Sequence, residues 1–162
     1  MYSNTRSLVV SDVMSFPVIT SRETDSIKVV AQKMSTHRVG GVVIVNKNNE
    51  PVGIITQGDI VKRLVTKGRR ILFFSKAKHI MSKPVVSIDR EMKIEHAAKF
   101  MVRSKIKRLC VVDKFNKLVG MVTDSDIMKN SGYLIDVLNE MINTGYVEEA
   151  GGGIALNQEG KK

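Results

Sequence analysis

The sequence predicts an α+β protein built from two β-α-β-β-α modules, and three observations predict it. The first is a phrase that occurs twice, Gly53-Ile54-Ile55-Thr56-Gln57-Gly58-Asp59-Ile60 and Gly120-Met121-Val122-Thr123-Asp124-Ser125-Asp126-Ile127. The second is its register: the offset of 67 residues from Gly53 to Gly120 also carries Met14 onto Met81, Pro17 onto Pro84, Ala31 onto Ala98, Met34 onto Met101 and Val52 onto Val119, with no gap. A repeat held in register over a whole unit marks one supersecondary module used twice. The third is the pattern inside each unit, where helical spacing of apolar residues and short β-branched runs follow one another in the same order.

In the first unit, Phe16-Pro17-Val18-Ile19-Thr20 reads as a short extended segment, because Pro17 excludes a helix interior. Ile27, Val30, Ala31 and Met34 then follow the i, i+3, i+4, i+7 face of a helix that starts near Thr24 or Asp25. Val42 to Val45 suits a buried strand, Asn46-Lys47-Asn48-Asn49 is turn chemistry, and Pro51 to Ile55 is the returning strand. A second helix runs from Thr56 to about Thr66, with Gly68 as its stop. The second unit repeats this order. Val85-Val86-Ser87 is extended, Ile94, Ala97, Ala98 and Met101 form the helix face, and Leu109 to Val112 is the buried strand. Asp113 to Asn116 is the turn, Lys117 to Val122 the return, and the helix from Thr123 stops before Gly132. The modules are therefore residues 8–65 and 76–130, joined by a basic and apolar connector, 66–75, that contains Ile71-Leu72-Phe73-Phe74. Beyond them, residues 131–162 read as an amphipathic helix marked by Leu134, Val137, Leu138, Met141 and Ile142, then a flexible tail. Residues 1–7 read as a polar arm.

A hydrophobic content of 43% with 26% charged residues describes a soluble globular protein, and no apolar run reaches the length of a membrane span. With no signal-peptide layout at its start, the chain is expected in the cytoplasm. Its one cysteine, Cys110, lies in an apolar run that suits a buried, inert thiol. His37, His79 and His96 stand too far apart for a metal site, so no metal and no required cofactor are expected. The net charge of +10 (pI ≈ 9.8) is concentrated: no acid occurs between Asp59 and Asp89, where Lys62, Arg63, Lys67, Arg69, Arg70, Lys76, Lys78 and Lys83 all fall. Such a run suits a solvated connector or a surface for nucleic acid or another polyanion.

The repeated phrase carries its own chemistry. Thr followed three residues later by an acid is an N-terminal helix signature, with Thr as N-cap and the acid in the first turn. It also has the groups to hold a sugar-phosphate, since Asp accepts from a ribose diol while the Thr hydroxyl and the helix N–H groups face a phosphate. A capping box without a ligand is the alternative.

These features resemble a pair of cystathionine β-synthase (CBS) domains, the tandem also called a Bateman module. The resemblance is carried by Val13-Met14 with Pro17-Val18-Ile19-Thr20, by Ile80-Met81 with Pro84-Val85-Val86-Ser87, and by the two Gly-x-x-Thr-x-x-Asp-Ile phrases. It covers about residues 8–130 and is similar to free-standing CBS pairs more than to fusions such as inosine monophosphate dehydrogenase. It implies a pseudo-twofold pair of modules, a homodimer, and a regulatory sensor of adenine nucleotides (AMP, ADP, ATP or S-adenosylmethionine) that acts on another protein. By the same resemblance, cleft one combines Val18, Ile19, Thr20, Val39, Gly40 and Gly41 with Thr123 and Asp126. Cleft two combines Val85, Val86, Ser87, Ile106 and the adjoining Lys107-Arg108 with Thr56 and Asp59. Lys107 with Arg108 is expected beside the phosphates of cleft one, where cleft two has only Gly40 and Gly41, so a polyanionic phosphate is expected to prefer cleft one.

Two other functions compete with the sensor: a nucleic-acid or polyanion binder using the basic 62–83 segment, and a structural dimerisation module with empty clefts. An enzyme is not expected, because the sequence assembles no nucleophile with a base, no metal set and no paired catalytic carboxylates.

Overall fold

A computed structural model describes residues 7–68, 74–130, 132, 147–150 and 153–156. The expected arm before Ser7, the connector residues Arg69 to Phe73 and the expected helix over 134–142 lie outside the described residues.

Each module has the expected β-α-β-β-α order. In the first, β1 (Thr20–Arg22) is followed by α2 (Ile27–His37), β2 (Gly41–Val45), β3 (Pro51–Thr56) and α3 (Gln57–Lys67), and a short α1 (Val10–Val13) precedes them. In the second, β4 (Ser87–Asp89) leads to α4 (Ile94–Ser104), β5 (Arg108–Val112), β6 (Leu118–Thr123) and α5 (Asp124–Lys129). A final hairpin pairs β7 (Val147–Ala150) with β8 (Gly153–Leu156). Each module's three strands form one sheet, β1-β2-β3 or β4-β5-β6, with a parallel and then an antiparallel pairing.

One boundary differs from expectation. Helix α2 starts later, because Ser26 is its N-cap while Asp25 closes the preceding turn by accepting from the Arg22 N–H. Both α2 and α4 end on non-glycine residues in the left-handed region, Arg38 and Lys105, each with φ 53°. Gly40 and Gly41 follow the end of α2 and line the site described below.

The middle strand of each sheet is buried on both faces, which explains its unbroken apolar run. Val42 and Ile44 pack on their own module's helices, whereas Val43 and Val45 face the other sheet and meet Cys110 and Leu118. In β5, Leu109 and Val111 likewise turn to their own helices and Cys110 to the seam between sheets. Burial pushes the Cys110 thiol up to about 12.

Neither module closes its own core. The opening segment of module one, including Val10, packs into the core of module two, and its backbone bonds there through Val10 to Met92, Ser11 to Arg90 and Ser15 to Met121. Reciprocally, Ala77, Ile80 and Met81, which open module two, lie in the core of module one. Ala77 donates to the Asp25 carbonyl at 2.8 Å, and Ser82 and Ile54 exchange both backbone bonds. The repeated glycine accommodates this exchange. A Cβ on Gly53 would lie 2.4 Å from the Met81 sulfur, and one on Gly120 would lie 2.3 Å from that of Met14. The module-start Met and the Gly of the repeated phrase are therefore one contact, made across the modules.

At the far end of the seam, Asn49 and Leu118 exchange two hydrogen bonds, and the Lys117 ammonium lies 3.3 Å from a Glu50 oxygen. The Asn46 amide donates to the other Glu50 oxygen at 2.6 Å. Asn46, and then Lys117, hold the Glu50 carboxyl below its ordinary value of 4.5.

Two predictions follow from the cross-module contacts. Ile80, 1% exposed, belongs by sequence to the start of module two but by packing to module one. Ile80→Ala should cost about 2–5 kcal/mol, and hydrogen exchange should show α2 and α4 losing the same protection; a loss confined to one module would mean that the halves unfold separately. For Glu50, a lowered folded-state pKa means that the unfolded chain binds more protons, so stability rises with pH through this region. The Glu50 contribution is present above the ordinary carboxyl value and is lost as pH falls through the lower folded one. Urea melts on a pH series from neutral to about 3 should fall less steeply on the acid side for Glu50→Gln than for the unaltered chain.

Candidate functional site

The crossing of the entry segments between the modules leaves two clefts at the seam, each lined by residues of both modules. Cleft one has a volume of about 250 Å³ and cleft two about 650 Å³. The second falls within the range of small-ligand pockets and the first slightly below it.

Cleft one has an apolar slot made by Pro17, Val18, Ile19, Val39 and Met121, and its polar end is made by Thr123, Ser125, Asp126 and Lys129. Cleft two repeats this with Pro84, Val85, Val86, Ile106 and Ile54 for the slot and Thr56, Gln57, Gly58 and Asp59 for the polar end. Ser15 and Ser82 line the two clefts at matching positions. The sequence held a signal for both serines, since Met-Ser-x-Pro-Val recurs at 14–18 and 81–85. Both prolines in it follow cis peptide bonds.

The two Thr-x-x-Asp phrases form capping boxes. Asp126 Oδ2 accepts from the Thr123 N–H at 2.9 Å and from the Thr123 hydroxyl at 2.8 Å. Asp59 Oδ2 does the same with Thr56, at 2.8 and 2.7 Å. The other carboxylate oxygen is left for different work. In cleft one, Asp126 Oδ1 has only the Lys129 ammonium at 4.0 Å among the described residues. In cleft two, Asp59 Oδ1 accepts from the Ser82 hydroxyl at 3.3 Å. Capping and ligand binding are therefore compatible in one residue, because each uses a different oxygen. The threonine is more constrained: its hydroxyl proton is committed to Asp Oδ2, so it is not available to a phosphate. At the start of α5, the N–H groups of Asp124, Ser125 and Asp126 are also taken, by the Lys107 carbonyl, Asp124 Oδ1 and Thr123 Oγ1. Charge for an anion must come from side chains instead.

Those side chains are not distributed as the sequence suggested. Lys107 lines cleft two and not cleft one, and Lys105 joins it there. Arg108 lines both clefts. Its side chain lies over the bare backbone of Gly40 and Gly41, where a Cβ on Gly41 would come 2.3 Å from Nη1 and one on Gly40 would come 3.3 Å from Nη2. Three cations thus line cleft two, against Arg108 and Lys129 in cleft one, so the expected phosphate preference for cleft one loses its basis. Thr20 and Ser87 line neither cleft, because the chain enters the strand ladder there, opposite Val43 and Cys110. Gly40, expected in cleft one, lines both clefts, and the remaining expected residues divide between the clefts as described.

The basic 62–83 segment is a surface feature where it is described: Lys62, Lys76, Lys78 and Lys83 are exposed. Arg69 and Arg70 lie outside the described residues. No described helix is long and apolar enough to cross a membrane, and no metal-binding cluster occurs among the described residues.

Comparison with known proteins agrees with this architecture. The family profile of the CBS domain matches residues 10–66 and 77–133. An uncharacterised protein of Methanopyrus kandleri is 39% identical over 138 residues, covering 83% of this chain and 68% of its own. Among solved structures, the CBS domain pair of protein MJ0100, in complex with 5'-methylthioadenosine and S-adenosyl-L-methionine, superposes with a TM-score of 0.71 at 29% identity, over 80% of this chain and 99% of that one. A CBS domain protein from Pyrobaculum aerophilum, complexed with AMP, shares the fold with a TM-score of 0.73 at 23% identity, over 82% of this chain and 99% of its own. With a profile match in each half, a repeat in register and two sheets packed across a seam, the chain belongs to the CBS-domain family and carries a tandem pair of CBS domains.

Proposed function

We propose that this chain is a non-enzymatic regulatory module that binds adenosine-bearing ligands in the two clefts between its CBS domains. The observation that carries the reading is the second carboxylate oxygen: in each cleft an Asp that lines it is fixed by its capping box through Oδ2, and Oδ1 stays outside the cap in a cleft that also has an apolar slot. An aromatic base fits the slot between aliphatic side chains, and a ribose diol donates to the carboxylate at its mouth. The MJ0100 pair, at 29% identity, supports this choice because both of its named ligands contain adenosine. Phosphates, where the ligand has them, would meet Arg108 with Lys129 in cleft one and Arg108 with Lys105 and Lys107 in cleft two. Occupancy would then bridge the two domains, since each cleft takes its slot mainly from one and its Asp from the other.

Losing a hydrogen bond to a charged group costs about 1.5–3 kcal/mol, so Asp126→Ala should weaken adenosine or AMP at cleft one roughly ten- to a hundredfold. Asp59→Ala should do the same at cleft two. Calorimetric titration, with melting of the unliganded variants as a control for folding, tests this. Affinities unchanged in both variants would mean that the Thr-x-x-Asp pairs are helix caps only.

We also infer a homodimer formed through the outer helices. Val61, Leu64 and Val65 on α3 are 59%, 40% and 80% exposed, and Val102 on α4 is 78% exposed, an apolar surface that association would cover. Light scattering should give twice the 18.0 kDa of the chain, and Val65→Asp should reduce it to the single-chain mass; an unaltered chain already at that mass would count against the dimer.

A further inference from the structure

The two clefts are related by the 67-residue repeat at most of their lining positions, and the largest change of charge between equivalent residues falls on the wall they share. Where module one has Gly40 and Gly41, module two has Lys107 and Arg108. Gly41 pairs with Thr56 and Arg108 with Thr123, so the two residues hold equivalent places at the start of the middle strand. A symmetric pair would put a cation on each side. Here one side is bare, and the Arg108 side chain extends across the seam to lie over it.

The guanidinium is half-buried and forms no hydrogen bond or ion pair among the described residues, although it carries five donors. It lines cleft one beside Gly40 and Gly41, and it lines cleft two beside Gly40, Lys105 and Lys107. A planar guanidinium binds a phosphate most strongly by pointing two parallel N–H groups at it. It cannot present that fork to a phosphate in each of two clefts at once.

Resting on the adenosine-ligand reading above, we propose that Arg108 is one cation shared by both clefts, so that an anionic nucleotide in one lowers the affinity of the other for a second anionic nucleotide. Uncharged adenosine derivatives make no claim on the guanidinium and bind the two clefts independently. The protein therefore discriminates between pairs of ligands: two phosphorylated nucleotides compete, whereas one phosphorylated and one uncharged ligand are accommodated together. The loss is the same factor whichever cleft fills first, because coupling between two sites is reciprocal, although cleft two keeps Lys105 and Lys107 when Arg108 turns away. Cleft one keeps Lys129 alone.

The coupling is read by calorimetry with AMP and with adenosine. Asp126→Ala and Asp59→Ala give the affinity of each remaining cleft measured alone, and the product of these two constants is compared with the product of the two stepwise constants of the unaltered chain. Couplings between sites commonly span about 5- to 150-fold, and for AMP a deficit on the order of tenfold is expected, with none for adenosine. Arg108→Ala should weaken AMP at both clefts and abolish the deficit. Gly41→Ala keeps the arginine but drives its guanidinium off the cleft-one backbone; it should weaken AMP at cleft one, spare cleft two, and also remove the deficit. If the unaltered chain takes up only one AMP and Arg108→Ala takes up two, the competition is complete and the proposal stands. A single AMP in both, an equal deficit for AMP and adenosine, or a deficit that survives Arg108→Ala overturns it. Independent binding of AMP at two clefts removes the shared cation while leaving the binding reading intact, and failure of both ligands to bind the unaltered chain removes both.

Discussion

The structure depends on the exchange of entry segments. The opening residues of module one complete the core of module two, and those of module two complete the core of module one, so every other feature presupposes that both modules are present. The contact that makes the exchange possible is small. Met14 lies against Gly120 and Met81 against Gly53, and any larger residue at either glycine would have to displace a methionine from its seat. Methionine suits this role because its unbranched side chain adapts to an irregular gap. The clefts are consequences of the same crossing: each lies where an entry segment leaves one sheet for the other, with Ser15 or Ser82 at the crossing point.

The repeated phrase supports three tasks within eight residues. Its glycine receives the other module's methionine, its threonine caps a helix, and its aspartate divides its two oxygens between the cap and the cleft. The division explains why a residue that looks sufficient as a cap can also hold a ligand. A carboxylate has about four lone-pair sites, and a capping box uses one oxygen only. Fixing that oxygen twice, through the threonine N–H and hydroxyl, also orients the other before any ligand arrives, which reduces the ordering cost of binding.

Much of this was legible in the sequence because the repeat supplied a second reading of every position. The order of elements, the buried faces of α2 and α4 and the N-caps at Thr56 and Thr123 follow from periodicity and turn chemistry alone. The exchange of segments was not legible. Val10 and Ile80 are apolar residues beside their own modules, and nothing local distinguishes packing at home from packing across the seam. The cations were misplaced for a related reason. Position along a strand tells which face a residue takes, but the path of a long side chain such as that of Arg108 depends on what it meets, and here it meets two glycines with nothing in the way. Thr20 and Ser87 look like cleft residues in sequence because they follow cleft residues directly; the ladder begins one residue too early for them.

Cys110 gives the protein a native probe of one cleft. It is the chain's only cysteine, 1% exposed, with its thiol pushed up to about 12, and it lies both in the seam and at the base of cleft two. Its counterpart in the other module is Val43, which carries no reactive atom. Thiolate chemistry at this position is suppressed while the sheets stay closed, so its rate of alkylation reports how often the base of cleft two opens. A ligand seated above the thiol would slow that rate, whereas one in cleft one would act only through the seam. The two occupancies are thereby distinguishable in the unmodified chain, by the kinetics of a single sulfur atom.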